Sequence, residues 1–265
     1  LLSGGIDSTI ITYLAKKKFK KIKFFSYKKK EKNYDESKNI NLLKKKFKLN
    51  HEFIPKINPN KNYHTINNLI KEIGFPLLST TNLAINKICN KIKKDGFKVL
   101  ISGNGGDEMF SGYYAHHMSY LLSIKNNSLF QKEFKNWEKI TKPHIRTNIL
   151  KDFNLYKRKF KKDGYNFETD IYRKYFKILK KNYLKKNNRY IYSNDIFINH
   201  LNNDLFNETL PAQTHTIDNI SMHNSIESRM PFLNNNFFNL RNRLSKNFLI
   251  KKGYAKFILR DIFKN

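Results

Sequence analysis

Short apolar runs alternate with helical patterns over the first 110 residues. Leu1 and Leu2 end a buried run, and apolar residues then recur at helical spacing from Ile10 to Ala15. Further apolar runs predict strands at 22–27, 51–55 and 97–102. Helical patterns fill the intervals, at 35–47, at 64–73 and from Leu83 to Gly96. Strands that alternate with helices predict an α/β fold with a doubly wound, mainly parallel sheet.

The pattern changes near residue 120, where long Lys-, Asn- and Tyr-rich segments with helical spacing begin. We therefore expect an α/β core over 1–120 and a C-terminal helical subdomain over 121–265. No apolar run reaches the roughly 18 residues of a membrane span, so we expect a cytoplasmic protein with no membrane partner. The single cysteine, Cys89, excludes an internal disulfide framework and lies on an apolar helix face, which indicates a core position.

The chain is strongly basic, with 52 Lys and Arg against 21 Asp and Glu and a formal net charge of +31. A polyanion partner would explain this charge, because basic patches gain affinity by releasing counterions. However, the lysines are spread along the whole chain, in runs such as Lys16–Lys18, Lys28–Lys30 and Lys44–Lys46. This distribution favours solvated faces in a sequence biased toward Lys, Asn and Ile, and we expect no specific nucleic-acid partner.

Two glycine-rich turns each follow a predicted strand and each carry an aspartate: SGGIDS at 3–8 and GNGGDE at 103–108. Glycines let backbone N–H groups approach an anion, and a helix N-terminus adds partial positive charge. Ligands bind at the carboxyl ends of strands in open α/β sheets, so both turns should face one crevice. Asp7 and Asp107 would offer carboxylates to Mg²⁺, which also takes phosphate oxygens. The alternative for Asp7 is a helix cap.

Four motifs carry a resemblance to a known family. The turn at 3–8 resembles the pyrophosphate loop of the ATP pyrophosphatase superfamily and is not a Walker loop. Three other segments resemble the asparagine synthetase family: LISGNGGDEMFSGY at 100–113, DNISMHNSIESRMPFLN at 218–234 and KFILR at 256–260. Together they span nearly the whole chain in the family's order. The resemblance implies an adenine nucleotide alpha hydrolase-like fold and covers the synthetase domain without its N-terminal glutaminase domain, so we expect the chain to be a fragment.

The resemblance also implies residue roles. ATP would be bound by nine residues: Leu1, Ser3, Gly4, Gly5, Asp7, Ser8, Tyr27, Ser102 and Gly103. Asp7 and Asp107 would hold Mg²⁺. Lys256 would stabilise charge on the phosphates during adenylation and would act in catalysis with Asp107 and Asn104. Glu227 and Arg229 are expected to contact substrate or to form a buried ion pair that ties the helical part to the core.

These features predict an ATP-dependent, amide-forming ligase that adenylates a carboxylate and releases AMP and pyrophosphate. Aspartate, giving asparagine, is the first choice of acceptor, with ammonia supplied free or from glutamine. Asn104 stands where asparagine-forming members usually carry an acid, and Asn219, Asn234 and Phe75 also depart from the family's pattern. These departures leave open a related amidotransferase that acts on another carboxylate.

Other functions also remain open from the sequence. A tRNA-modifying relative would fit the positive charge, and a binding protein without catalytic activity would fit a truncated chain. The expected partners are small molecules, with a glutaminase domain in the full-length protein, and a homodimer is left open. His116 and His117 are adjacent and point in different directions on a helix, so we do not expect both to bind one metal.

Overall fold

A computed structural model describes residues 1–28, 36–55, 63–74, 76, 77, 79, 81–163 and 189–264. The described chain forms two compact units, one comprising 1–106 with 210–239 and the other 107–209 with 240–264. This division differs from the single boundary expected near residue 120, because a later segment of the chain groups with the first unit.

Helices and strands alternate in the amino-terminal part, as the apolar pattern predicted. The elements are α1 (Ile6–Lys18), β1 (Phe24–Tyr27), α2 (Ser37–Phe47), β2 (His51–Ile54), α3 (Tyr63–Ile73), α4 (Thr81–Lys94) and β3 (Val99–Ile101). The predicted strands are confirmed with slightly shorter ends. The apolar residues of these strands pack into the interior of the unit. For example, Phe24 and Phe25 of β1 are 4% and 3% exposed.

The remaining elements are mostly helices. They are α5 (Gly106–Phe110), α6 (Tyr114–Ser123), α7 (Phe130–Ile140), α8 (Asn148–Lys151), α9 (Phe153–Asp163), α10 (Ile196–Phe206), α11 (Thr209–His223), α12 (Asn235–Arg243), α13 (Lys246–Leu249) and α14 (Phe257–Ile262). Three short strands accompany them: β4 (Glu227–Arg229), β5 (Ile250–Lys251) and β6 (Tyr254–Ala255). Single 3₁₀ turns form at Lys142–His144 and Pro231–Leu233.

Parallel strand pairs form the centre of the first unit. β1 pairs with β2 from Phe24 opposite His51 onward, and β3 pairs with β4 in the same sense. The start of the chain hydrogen-bonds to both pairs, since Leu2 N–H donates to the carbonyl of Phe25 at 2.9 Å and the nitrogen of Leu1 donates to Ile101 at 2.6 Å. Parallel strands joined through helices make this unit an α/β structure.

Strand β4 lies within the segment that the sequence pattern assigned to helices. Its pairing with β3 accounts for the grouping of 210–239 with the first unit. The strand is three residues long and consists of Glu227, Ser228 and Arg229. It has no apolar run, so hydrophobic periodicity carries no signal for it.

An apolar cluster packs against the strands of the first unit. Its buried members are Phe25, Ile54, Ile88, Cys89, Ile92, Leu100 and Ile226. The predicted core position of Cys89 is confirmed, since its side chain is 0% exposed and burial raises the pKa of its thiol to about 12. The predicted solvation of Lys16–Lys18 and Lys44–Lys46 is also confirmed, since all six lysines are exposed. None of the described helices has both the length and the apolar character needed to cross a membrane.

The described residues of the second unit form helices and one antiparallel hairpin. Helix α6 packs along α10, and the hairpin pairs Ile250 of β5 with Ala255 of β6. The two residues of its turn, Lys252 and Gly253, both have positive φ angles, of 53° and 76°. A two-residue turn of this kind matches the twist of the flanking strands. The hairpin places Lys256 directly after β6.

Candidate active site

The first glycine-rich turn is held by hydroxyl groups. The hydroxyl of Ser8 donates to the carbonyl of Gly5 at 3.0 Å and accepts the backbone N–H of Ser3 at 3.1 Å. The hydroxyls of Ser3 and Ser8 lie 3.0 Å apart. Gly4 has a φ of +81°, which an L side chain rarely adopts. The turn is therefore fixed in shape by its own residues.

The turn leads directly into the N-terminus of α1. Gly5 occupies the cap position with φ −75° and ψ 162°, and it has no side chain that could cap the helix. Asp7 lies in the first turn of α1, so the interpretation of Asp7 as the helix cap is wrong. The first N–H groups of a helix have no intrahelical acceptor and carry partial positive charge, which together favour an anion.

The second glycine-rich turn packs against the start of α1 within the first unit. A Cβ atom on Gly106 would lie 2.5 Å from the carboxyl carbon of Asp7. A Cβ atom on Gly103 would lie 2.9 Å from the backbone nitrogen of Ser8. Only glycine fits at these two positions without moving the first turn. The structure thus brings the two predicted turns together around Asp7.

A third motif contacts the second turn. The side chain of Leu233 occupies the space beside Gly105, where a Cβ atom would lie 2.2 Å from Cδ2 of the leucine. Gly105 also has a φ of +86°. Phe232, the neighbour of Leu233, is 2% exposed. This part of the 218–234 motif therefore serves the packing of the first unit.

Other predicted nucleotide-binding residues lie at strand ends of the same unit. Tyr27 ends β1 and packs against apolar clusters, and Leu1 packs against one of them. Ser102 follows β3, with its N–H donating to the carbonyl of Arg229 at 3.0 Å. The hydroxyl of Ser102 is buried without a hydrogen-bond partner among the residues that the structure describes. Asn104 is half-buried in the turn after Gly103, and Phe75 falls outside the described residues.

In the second unit, Asp107 and Lys256 form an ion pair. The Nζ atom of Lys256 lies 2.6 Å from Oδ1 of Asp107. The lysine side chain is 7% exposed, whereas that of Asp107 is 39% exposed. Two residues that the sequence assigned to catalysis, 149 positions apart, therefore meet here.

Backbone features fix this ion pair in place. Lys256 lies at the N-cap of α14 in a left-handed conformation, with φ 54° and ψ 40°. Gly112 passes beside both side chains, since a Cβ atom there would lie 1.6 Å from Oδ1 of Asp107 and 2.4 Å from Cε of Lys256. The N–H of Gly112 donates to the carbonyl of Asp107 at 2.8 Å. A larger residue at position 112 would therefore clash with the side chains of the ion pair.

Glu108 follows Asp107 in the sequence, and its side chain is buried. Its side chain is 1% exposed and accepts a hydrogen bond from the hydroxyl of Tyr113 at 2.5 Å. Burial raises the pKa of Glu108, although the hydrogen bond from Tyr113 opposes this shift. Glu108 thus serves the packing of α5 and the start of α6.

The expected buried ion pair of Glu227 and Arg229 needs correction. The two side chains do pair, at 2.8 and 3.1 Å, but they are 57% and 59% exposed. Residues two apart on a strand share one face, and this face of β4 lies in solvent. The pair belongs to the first unit and is a solvated surface contact.

A buried polar cluster in the second unit joins α6 to α10. Nε2 of His116 lies 2.8 Å from Oδ2 of Asp204, and Nε2 of His200 lies 3.7 Å from the same oxygen. Burial opposes the ionisation of Asp204, yet the hydrogen bond from His116 and nearby positive groups lower its pKa to about 2. Burial also lowers the pKa of His200 well below its usual value. Sequence reasoning missed this cluster because its residues are 84 to 88 positions apart across α6 and α10, with no shared motif.

One cavity in the first unit is separate from the predicted nucleotide-binding turns. It has a volume of about 380 Å³ and an apolar lining that includes Ile11, Phe19, Phe24 and Ile92. It contacts neither Ser3 nor Asp7, and its strand residues are Phe24 and Phe25 of β1, the whole of β3 and Arg229 of β4.

The family model for asparagine synthase matches residues 1–265, the whole of the chain. The chain belongs to the asparagine synthase family. A comparison with curated proteins finds no match. Membership of the asparagine synthase family indicates an ATP-dependent, amide-forming carbon–nitrogen ligase with small-molecule substrates and the α/β fold of the pyrophosphate-loop enzymes. Enzymes of this family use ATP, usually with Mg²⁺.

Proposed function

We propose that this protein forms asparagine by joining ammonia to aspartate that has been activated with ATP. The observation that carries the proposal is the turn at 3–8, in which hydroxyls fix the backbone and Gly5 leaves the N-terminus of α1 open to an anion. Membership of the asparagine synthase family supports amide-forming chemistry for the whole chain.

The proposed reaction has two steps. A carboxylate oxygen of the acceptor attacks the α-phosphorus of ATP, the bond to the bridging oxygen breaks, and pyrophosphate leaves. Ammonia, free or derived from glutamine, then attacks the acyl carbon of the adenylate. AMP leaves with the bonding electrons, and one proton is released with the amide. Orientation and phosphate electrostatics supply most of the catalysis in such a scheme.

The first unit offers a fitting phosphate site. The N–H groups at the start of α1 and the hydroxyls of Ser3 and Ser8 would bind the pyrophosphate portion of ATP, while Tyr27, Ser102 and Gly103 would line the nucleotide site. Glycine at 106 leaves space around the carboxyl group of Asp7, which we propose as a Mg²⁺ ligand. The bound Mg²⁺ would neutralise phosphate charge.

In the second unit, Lys256 and Asp107 are the proposed catalytic residues. The ion pair holds the buried ammonium of Lys256 in one position, where it would stabilise charge that develops on the phosphates. Asp107 keeps a partly exposed carboxylate, which we propose as a second ligand to Mg²⁺. The roles of Lys256 and Asp107 are inferred from contacts within the second unit, and the role of Asp7 from contacts within the first.

We also propose a single doubly wound sheet for the first unit. The backbone hydrogen bonds of Leu1 and Leu2 to β3 and β1 support it, because they join the two parallel pairs through one segment. The strand order would then be β2, β1, the Leu1–Leu2 segment, β3 and β4.

Asn104 bears on the choice of acceptor. A carboxylate at this position could accept a proton during ammonia attack, whereas an amide side chain cannot ionise and only exchanges hydrogen bonds. This substitution favours, as a second candidate, the adenylation of a carboxylate other than aspartate. The ligase chemistry is the same in both cases.

The test is an analysis of products. The purified protein is given ATP, Mg²⁺, ammonium and aspartate, and AMP, ADP, pyrophosphate and phosphate are measured. We expect AMP and pyrophosphate in equal amounts, and we expect Asp7→Asn and Asp107→Asn each to abolish their formation. Formation of ADP and phosphate instead would exclude the proposed chemistry. Turnover of other carboxylates with none of aspartate would keep the ligase and reject asparagine as the product.

A further inference from the structure

We propose that His116, His200 and Asp204 form a binding site for Zn²⁺ or a similar transition metal that links α6 to α10. The site lies wholly in the second unit and does not depend on the proposed reaction. One ligand atom from each of the three side chains lies within 4.8 Å of the other two. The side chains are 0%, 3% and 5% exposed.

The helices determine this geometry. His200 and Asp204 are four residues apart on α10, so they project from the same face. His116 projects from α6, which packs along α10. Around a tetrahedral zinc ion with bonds of 2.0–2.1 Å, ligand atoms are about 3.3 Å apart. The distances from Oδ2 of Asp204 to Nε2 of His116 and Nε2 of His200, 2.8 and 3.7 Å, fall on either side of that value.

Neighbouring hydroxyls orient two of the three ligands. Oγ of Ser119 lies 3.0 Å from Nδ1 of His200 and 3.1 Å from the carbonyl of His116, which holds the ring of His200 in place. Nε2 of His200 faces Oδ2 of Asp204 at 3.7 Å. The hydroxyl of Thr209 donates to Oδ1 of Asp204 at 3.1 Å, which leaves Oδ2 toward both imidazoles. Such outer contacts fix tautomer and orientation in metal sites.

The third ligand must change its tautomer. Nδ1 of His116 accepts the N–H of Tyr113 at 3.3 Å, so Nε2 carries the proton and donates to Asp204. When the metal binds Nε2, this proton moves to Nδ1 and the long contact with Tyr113 is given up. The imidazole stays neutral and no net proton is released. The metal therefore replaces one hydrogen bond to Asp204 and one weak contact to the backbone.

The donor set selects the class of metal. Two imidazole nitrogens and one carboxylate oxygen suit Zn²⁺, Co²⁺, Ni²⁺ or Cu²⁺. Mg²⁺ and Ca²⁺ prefer sites made of oxygen atoms, so this site is chemically distinct from the proposed Mg²⁺ ligands Asp7 and Asp107. Of the two adjacent histidines in α6, only His116 belongs to the cluster.

Zn²⁺ and Co²⁺ alone are the probes for this site. The purified full chain is stripped with a chelator, dialysed and titrated by calorimetry, with the metal content measured afterwards. We expect one tightly bound Zn²⁺ per chain. His116→Gln and His200→Gln should each weaken this binding at least about 100-fold, because glutamine keeps an N–H donor but is a poor metal ligand. His117→Gln, which changes a buried histidine beside the cluster, should bind as the unchanged protein does.

Co²⁺ keeps the proposal testable if those variants fail to fold. We expect the intense visible absorption of tetrahedral cobalt in the unchanged protein and its loss in Asp204→Asn. The proposal is overturned if the unchanged protein binds no stoichiometric Zn²⁺, if His116→Gln and His200→Gln bind Zn²⁺ as tightly as His117→Gln does, or if bound Co²⁺ gives only the weak spectrum of octahedral cobalt.

Discussion

The ammonium group of Lys256 lies 2.6 Å from Oδ1 of Asp107, and the backbone of Gly112 fills the space beside both side chains. The lysine is almost completely buried and the aspartate is partly solvated. The pair is therefore asymmetric. The buried ammonium of Lys256 depends on the carboxylate for its stabilisation, whereas water also stabilises the carboxylate of Asp107.

Gly112→Ala should disrupt this ion pair by a steric clash. The new methyl group would lie 1.6 Å from Oδ1 of Asp107, so one of the charged side chains must move. We expect pyrophosphate release to fall about 10²–10³-fold, the size of effect seen when one electrostatic contact to a transition state is lost. Single-turnover kinetics would measure this change.

Gly96→Ala is the control for that variant. A Cβ atom on Gly96 meets nothing within 4 Å, and only its φ of +76° opposes the change. The control should lose a little stability and keep its rate of pyrophosphate release. Equal rates in the two variants would show that Asp107 and Lys256 do not need their observed geometry.

The asymmetry of exposure predicts unequal effects on stability. Asp107→Asn leaves the buried ammonium of Lys256 without its carboxylate, whereas Lys256→Met leaves a carboxylate that water can solvate. We expect Asp107→Asn to lower the free energy of unfolding by about 1–3 kcal/mol more than Lys256→Met does. Urea denaturation of both variants at pH 7 would measure this difference, and equal effects would contradict it.

Ser8→Ala should weaken the binding of ATP. The hydroxyl of Ser8 joins Ser3 to Gly5, and without it the turn loses three hydrogen bonds. We expect the KM for ATP to rise at least about tenfold, a free-energy loss of roughly 1.4 kcal/mol from a less ordered phosphate site. Thr9→Val is the matched control, because Thr9 donates a single bond to the same carbonyl at 2.8 Å. A similar KM in both variants would remove Ser8 from the phosphate site.

His117 should make stability depend on pH. Burial lowers its pKa from 6.5 to about 3, with smaller electrostatic contributions from the nearby His116 and Arg260. The folded protein keeps this histidine neutral at pH 5, while the unfolded chain protonates it below about pH 6.5. The contribution of His117 is therefore fully present above that pH and is lost as the pH falls toward 3.

Urea denaturation at pH 7 and pH 5 would measure this effect. Between these values the unchanged protein should lose about 2 kcal/mol more stability than His117→Gln, at 1.36 kcal/mol for each unit of pKa difference. His215→Gln removes an exposed histidine and should behave as the unchanged protein does. The same loss of stability in all three proteins would show that His117 is not held neutral by the fold.

Local patterns predicted the elements of residues 1–106 well. The apolar runs that became β1, β2 and β3 each place side chains in the core, namely Phe24, Phe25, Ile54 and Leu100. The hydroxyls and glycines of the turn at 3–8 form one short segment, so composition and position were enough to predict a phosphate site there, which stays a prediction. Lys256 could not be distinguished from 51 other basic residues without its motif.

Contacts between distant segments were not visible in the sequence. The pairing of β4 with β3 joins residues 128 positions apart through a strand of three residues, of which Glu227 and Arg229 face solvent. His116, His200 and Asp204 meet only because α6 packs along α10. Hydrophobic periodicity specifies which face of a helix is buried, but it does not specify the partner against which that face packs.

The contact between Gly105 and Leu233 has a consequence for anyone who exchanges segments between members of this family. The leucine fills the space in which a side chain at 105 would lie, and the backbone at 105 is left-handed as well. A loop transplanted from a relative with a larger residue at 105 would clash unless position 233 were made smaller at the same time. The segments around 100–113 and 218–234 should therefore be moved as one cassette, and chimaeras that carry only one of them are expected to express poorly.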